Sequence, residues 1–235
     1  MIYTVTFNPA IDYVVHLNGS LKLGDINHNV QEEYQYGGKG INVSNVLRTL
    51  GFDNVALGFV AGFTGQGLEE GLGRMGLQTR FIHVEQGMTR VNVKVKAAEE
   101  TEINGIGPVI TEADMEKLYA QLDGIERGDT LVLSGSIPNC LPSDTYERIM
   151  ARLDGRGIRI AVDATRDLLV KVLKYHPFLI KPNNHELGEI FGKVLKTDEE
   201  IIEGLQAGIT LWMEELDSLY QQWADLRPEY AQQIT

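Results

Sequence analysis

The chain has 235 residues, room for one large domain at ~150 residues per domain, and a chain of this size buries roughly 70% of its unfolded surface without a disulfide or metal staple. Apolar residues make up 43% and charged residues 23%, the composition of an ordinary globular protein. Thirty-three Asp and Glu against 21 Lys and Arg leave a net charge of −12, which argues against nucleic acid or an anionic membrane as partner while leaving open a small anionic ligand.

Met1 to Phe7 is a β-branched and aromatic run closed by Asn8-Pro9. It predicts a strand over 2–7 and lacks the basic and apolar regions of a signal peptide. Further strands are expected at 13–17, 27–35, 54–60, 79–85, 90–97, 130–134, 158–163 and 178–181. Helical patterns fall at 40–50, 66–75, 111–122, 143–153, 166–174, 184–191 and from about 198 onward. The runs at 55–60, 130–134 and 158–163 are almost continuously apolar and alternate with helices, the mark of strands buried on both faces of a parallel, doubly wound sheet. Residues 13–35 and 88–105 instead alternate apolar and polar, so each strand there has one wet face. They are expected to form a small antiparallel β lid inserted in two pieces. No apolar run reaches the ~18 residues of a membrane span, and Cys140 is the only cysteine, which excludes an internal disulfide and any Cys-based zinc cage. A cytoplasmic protein is expected.

Gly37-Gly-Lys-Gly-Ile-Asn-Val-Ser44 joins a lid strand to a helix. Its glycines allow a ligand close to the backbone, and the helix start suits an anion or a polyol; a tight turn alone would look the same. It is neither a Walker A loop nor G-x-G-x-x-G. Asp12 follows the first strand, where a polar side chain would overhang the crevice of an α/β sheet or form an Asx-turn. Arg90, Asn92 and Lys94 are spaced by two and share one strand face, either solvated or aimed at a phosphate. Ser134-Gly-Ser-Ile-Pro138 and Asp163 end buried strands at the same edge, and Asp163 could equally cap the next helix. Lys181-Pro-Asn-Asn-His-Glu186 contains an Asn183/Glu186 capping-box spacing.

Together, Asn8-Pro-Ala-Ile-Asp12, Gly37–Asn42, Thr89-Arg-Val-Asn92, Ser134–Pro138 and Lys181-Pro-Asn-Asn-x-Glu186 resemble, in order and spacing, the ribokinase-like (phosphofructokinase B) sugar kinases. Thr4–Val15, Asn92–Lys96 and Glu100–Gly105 look like the members acting on fructose 1-phosphate rather than the tagatose-6-phosphate kinases. The resemblance covers residues 1 to about 204, a ribokinase-like α/β body bearing the lid. It implies that Asp12, Gly37, Gly38, Lys39 and Asn42 hold sugar hydroxyls, that Arg90 with Asn92 or Lys94 reaches the substrate phosphate, and that Ser136 lies beside the substrate. It further implies that Lys181 and Asn183 approach ATP phosphates and that Glu186 organises Mg²⁺ through water. The reaction implied is transfer of the ATP γ-phosphoryl group to the 6-hydroxyl of fructose 1-phosphate.

One family feature is absent. The Gly-Ala-Gly-Asp run that supplies the family's general base and anion hole occurs nowhere in the 235 residues. Asp163 is the stand-in base the crevice offers. The chain is therefore expected to be C-terminally incomplete relative to the family and inactive alone; the alternative reading is a non-catalytic sugar-phosphate-binding or assembly module. Residues 205–235 do not resemble the family; Leu205, Ile209, Trp212, Leu216, Leu219, Trp223 and Leu226 form an amphipathic three-heptad stripe. That long helix would cover core or pair with another chain, and a homodimer through the lid or this tail is expected.

Overall fold

The computed structural model describes residues 1–164, 168, 171–190, 192–197, 199–204 and 206. In chain order the elements are β1 (Ile2–Thr6), β2 (Ala10–Leu17), β3 (Asn29–Gly37), α1 (Lys39–Thr49), β4 (Asn54–Val60) and α2 (Gly62–Arg74). Next come β5 (Gln78–His83), β6 (Arg90–Lys96), β7 (Thr101–Ile103), α3 (Glu112–Asp123), β8 (Thr130–Ser134) and α4 (Thr145–Leu153). They end with β9 (Arg159–Asp163), a 3-10 turn (Leu173–Tyr175), β10 (Leu179–Ile180) and α5 (Asn184–Ile190).

Six strands form a parallel sheet in the order β10-β9-β8-β1-β4-β5. Strand alternation splits its side chains between two helical layers. Val5, Phe7, Val55, Leu57, Phe59, Leu131 and Leu133 pack with Met115, Leu118 and Leu122 of α3 and Tyr146, Ile149 and Met150 of α4. On the other face Ala56, Val60 and Phe81 pack with Ile41 of α1 and Leu68 and Leu72 of α2. Both faces of the sheet are thus covered, which is why its strands read as unbroken apolar runs. β1 and β8 are neighbours whose onward connections lead to opposite sides, to β4 and β9 respectively, so the switch point of the fold lies at their carboxyl ends.

The lid is the second sheet, in the order β3-β2-β6-β7. Its outer pairs, β2/β3 and β6/β7, are antiparallel as expected, while the central pair β2/β6 is parallel, with Ala10 opposite Arg90 and Asp12 opposite Asn92. The chain explains this pairing. β2 follows β1 and β6 follows β5, both strands leaving the parallel body at the same edge and rising in the same direction. Asp12 consequently lies within a strand that starts at Ala10, three residues earlier than the alternation suggested.

α2 starts at Gly62 rather than 66. Five glycines in thirteen residues disfavour a helix by propensity, but packing requires two of them: a Cβ on Gly71 would enter the Tyr36 ring, and one on Gly65 would lie 2.9 Å from Thr89 Oγ1. The expected 166–174 helix falls partly outside the described residues and closes as the 3-10 turn. Of the helix expected from about 198, residues 199–204 and 206 are helical, and the rest of its apolar stripe lies outside the described residues. Among the described residues no helix is long and apolar enough to cross a membrane.

Candidate functional site

Three sets of residues meet along the crevice between the lid and the carboxyl edge of the parallel sheet. The first is on the lid. Asn92, 6% exposed, donates its side-chain amide to Asp12 Oδ1 at 2.7 Å, and Lys94 Nζ lies 3.1 Å from Asp12 Oδ2. Arg90 shares this face, two residues nearer the body. Its Nε is buried without a partner, and burial pulls the guanidinium pKa down while the Asp12 charge pushes it back up. A half-buried guanidinium with an unsatisfied buried Nε beside a carboxylate and a second cation is the arrangement an anionic ligand completes.

The second set is the Gly37-Gly38-Lys39-Gly40 turn into α1. A Cβ on Gly37 would sit 2.9 Å from Asp12 Oδ2, and Gly38, with φ +127°, starts the helix without a side-chain cap. A Cβ on Gly40 would fall 2.8 Å from Val5 O and closer still to Thr6 Oγ1. The turn is pressed between Asp12 and β1, so its backbone position is fixed by contact on both sides. Asn42 is exposed in the first turn of α1.

The third set closes the other end. Asp163, at the end of β9, accepts from Ser134 Oγ at 3.0 Å through Oδ2, while its Oδ1 lies 3.4 Å from Lys39 Nζ and 3.3 Å from Lys181 Nζ. Glu186 Oε1 lies 3.8 Å from Lys39 Nζ. Asn183 and Glu186 form the reciprocal capping box their spacing predicts, with Glu186 N donating to Asn183 Oδ1 at 2.8 Å and Asn183 N to Glu186 Oε2 at 2.9 Å. Ser136 is exposed on the turn after β8. That turn is held by Gly135 N donating to Asp163 O and by the buried Tyr146 hydroxyl donating to Gly135 O at 2.9 Å. Burial, and then the Asp163 charge, push the Tyr146 pKa far up, so the phenol stays a donor.

The structure thus gathers Asp12, Asn92, Lys94 and Gly37 at one end of the crevice and Asp163, Lys181, Glu186 and the Lys39 ammonium at the other. The sequence reading missed Thr6, Tyr146 and the strap at 104–110. In that strap Asn8 Nδ2 donates to Ile106 O at 2.8 Å and Gly105 N donates to Asn92 Oδ1 at 3.1 Å. Gly105-x-Gly107 was its one visible signal. Among the described residues no group of three or more His, Cys, Asp or Glu could hold a metal by itself. Mg²⁺ is ordinarily held by one or two carboxylates completed by water and phosphate oxygens, and the Asp163–Glu186 pair fits that smaller requirement.

A doubly wound α/β body with a β lid thus sets a crevice lined by cations and carboxylates at the switch point, where open α/β sheets bind their ligands. The family model of the pfkB family carbohydrate kinases matches residues 5–211, and the chain belongs to that family. It is 44% identical over 202 residues to a 1-phosphofructokinase of Bacillus subtilis (strain 168), covering 86% of this chain and 66% of that protein. To a D-tagatose-1-phosphate kinase of Bacillus licheniformis it is 38% identical over 203 residues, with the same coverage. Phosphofructokinase-2 from Escherichia coli, solved in complex with fructose-6-phosphate, superposes with a TM-score of 0.79 at 25% identity, over 88% of this chain and 69% of that one. The chain therefore spans 66% of the length of the two relatives it is compared with by sequence.

Proposed function

We propose that the chain is the sugar-phosphate-binding part of an ATP-dependent kinase that phosphorylates fructose 1-phosphate to fructose 1,6-bisphosphate in the cytoplasm. The observation that carries this reading is the lid face on which the unpartnered Arg90 Nε stands beside the Asn92- and Lys94-held carboxylate of Asp12. Asp12 would accept from sugar hydroxyls, Arg90 would pair with the sugar's phosphate, and the glycine turn would let the sugar approach the backbone. The relatives named 1-phosphofructokinase and D-tagatose-1-phosphate kinase support a ketose phosphate as ligand. Lys181 and Asn183 would meet the phosphates of ATP, and Glu186 with Asp163 would hold Mg²⁺, which supplies charge neutralisation of the transferred group. Exposed Val30, Tyr34 and Ile103 on the lid strands support a homodimer through the lid.

The 235-residue chain by itself is proposed to bind this sugar phosphate without turning it over. Asp163 has one oxygen engaged by Ser134 and the other between two lysines, and the sequence holds no Gly-Ala-Gly-Asp run. A general base contributes ~10²–10⁴ in rate, and an anion-hole donor a further ~10²–10³. Calorimetry with fructose 1-phosphate should show binding, and a coupled ADP-release assay with ATP and Mg²⁺ should stay at background. No heat with the sugar phosphate would end the substrate reading; turnover near one per second (~1 s⁻¹, an ordinary enzyme rate) would end the inactivity.

A further inference from the structure

One peptide at the carboxyl end of β8 is gripped from inside the core. The Tyr146 side chain is fully buried on α4, its ring centroid 5.7 Å from that of Phe7, and its hydroxyl donates to Gly135 O at 2.9 Å. The Gly135–Ser136 peptide is trans, so its N–H runs antiparallel to its C=O. With the carbonyl turned inward to Tyr146, the Ser136 N–H points outward, at the strand edge where open α/β sheets bind ligands. Ser136 is exposed, and among the described residues its amide has no hydrogen-bond partner. On the near side, Gly135 N donates to Asp163 O at 3.0 Å. Gly135 has φ +104°, and a residue without Cβ lets the peptide that follows it turn over at little steric cost. The backbone alone therefore leaves two orientations open to that peptide. The hydroxyl selects one.

We propose that Tyr146 is a positioning residue whose hydroxyl holds the Gly135–Ser136 peptide so that the Ser136 backbone N–H stands in the crevice as a fixed donor to an oxygen of the bound sugar phosphate. The proposal rests on the sugar-phosphate reading and adds to it a buried phenol that never touches the ligand. A loose glycine peptide has to be frozen when a ligand binds, and each group ordered on binding subtracts from affinity. The Tyr146 hydroxyl freezes this one beforehand. Phenylalanine at 146 keeps the ring in the core cluster with Phe7 and removes only the donor. Gly135 O is then left without its partner, a costly state for a backbone carbonyl. Turning the peptide toward solvent relieves that cost, and the same turn swings the Ser136 N–H away from the ligand.

The test uses the 235-residue chain with fructose 1-phosphate as probe, read by calorimetry and by the residual dipolar coupling of the Ser136 N–H, which reports the direction of that bond. Tyr146→Phe should lower the affinity about tenfold, within the range of one hydrogen bond, with the melting temperature down by less than about 4 °C. In the ligand-free variant the Ser136 coupling should change while those of Leu133 and Ile149 stay as in wild type. Gly135→Ala acts on the same peptide from outside the core, because φ +104° is strained for alanine. It should show the same loss of affinity and a changed Ser136 coupling. Unchanged affinity in Tyr146→Phe overturns the proposal. So does lost affinity with the Ser136 coupling unmoved, or with the Leu133 and Ile149 couplings shifted as well, which marks a general loosening of the core. If Tyr146→Phe does not fold, wild-type affinity in Gly135→Ala overturns it. If only the sugar-phosphate reading fails, none of the three proteins binds fructose 1-phosphate, and the hold of Tyr146 on the peptide stands or falls on the Ser136 coupling alone.

Discussion

Asn92 fixes the orientation of Asp12. Its amide donates to Asp12 Oδ1 at 2.7 Å while its carbonyl oxygen accepts from Gly105 N at 3.1 Å, so one buried side chain ties the Asp12 carboxylate to the strap that returns from the lid. The carboxylate is aimed before any ligand arrives, and positioning of this kind is what a transfer enzyme gains most from. Asn92→Asp keeps the acceptor for Gly105 but replaces the donor with a like charge. Fructose 1-phosphate affinity measured by calorimetry should fall by about 1.5–3 kcal/mol, with a lower melting temperature. Wild-type affinity in this variant would show that Asp12 needs no such support.

Arg90 tests the phosphate end. Arg90→Ala should weaken binding of fructose 1-phosphate by about 1.5–3 kcal/mol, the scale of a charge-assisted hydrogen bond, and leave unphosphorylated fructose nearly unaffected. Titrating both ligands into both proteins decides it, because equal losses mean that Arg90 supports the lid rather than reads a phosphate.

Two glycines in helices separate packing from propensity. In Gly40→Ala the new methyl meets Val5 O and Thr6 Oγ1, so urea unfolding should show a loss of about 1–3 kcal/mol, the usual cost of overpacking. In α2, Gly73 has nothing within 4 Å of an added Cβ, and Gly73→Ala should gain about 0.5–1 kcal/mol from helix propensity. A stable Gly40→Ala protein would mean that the turn is not pressed against β1.

The start of α3 provides a pH-dependent contribution. Thr111 and Asp114 form a reciprocal capping box, and Lys117 Nζ lies 2.9 Å from Asp114 Oδ1. Burial pushes the Asp114 carboxyl up, but hydrogen bonds from Thr111 and Lys117 outweigh it and hold the pKa below the ordinary value. A depressed folded-state pKa stabilises above the unfolded value of about 3.9 and is lost as the pH falls through the folded one. Asp114→Asn should therefore cost about 1 kcal/mol at about pH 7, and the gap from wild type should close as the pH falls through and below the ordinary carboxylate range. A gap independent of pH in urea titrations would assign the effect to shape instead of charge.

Much of this architecture is visible in the residues themselves. The apolar runs at 55–60, 130–134 and 158–163 read as strands buried on both faces because two helical layers cover them. The order of the five motifs brings Asp12, the glycine turn and Glu186 to one crevice. Three things were hidden for physical reasons. The parallel pairing of β2 and β6 depends on both strands leaving the same edge of the body, which alternation along one strand does not encode. The glycines of α2 mask the first turn of a helix that reads from 66 but starts at Gly62 and packs on Tyr36 and Thr89. The direction of Lys39 was hidden because spacing places a Cα, while a flexible four-carbon arm is aimed by the charges around it, here Asp163 and Glu186.

Two of the four chain segments that join lid to body, those leading into β2 and β6, leave side by side. Ala10 pairs with Arg90, and just below them Asn8 holds Ile106 O while Thr89 is pinned by Ala61 N at 2.9 Å and Thr64 Oγ1 at 2.7 Å. Gly37 lies opposite Ala10 and Ala10 opposite Arg90, so the crossings line up along the base of the small sheet and join it to the body along one line. Arg90, Asp12 and Asn92 lie within about two residues of that line, some 7 Å of strand at about 3.3 Å per residue. Lys96 and Glu100, joined by their own ion pair, lie farther out. By simple leverage, any tipping about that line would leave Arg90, Asp12 and Asn92 nearly stationary while the rim travels.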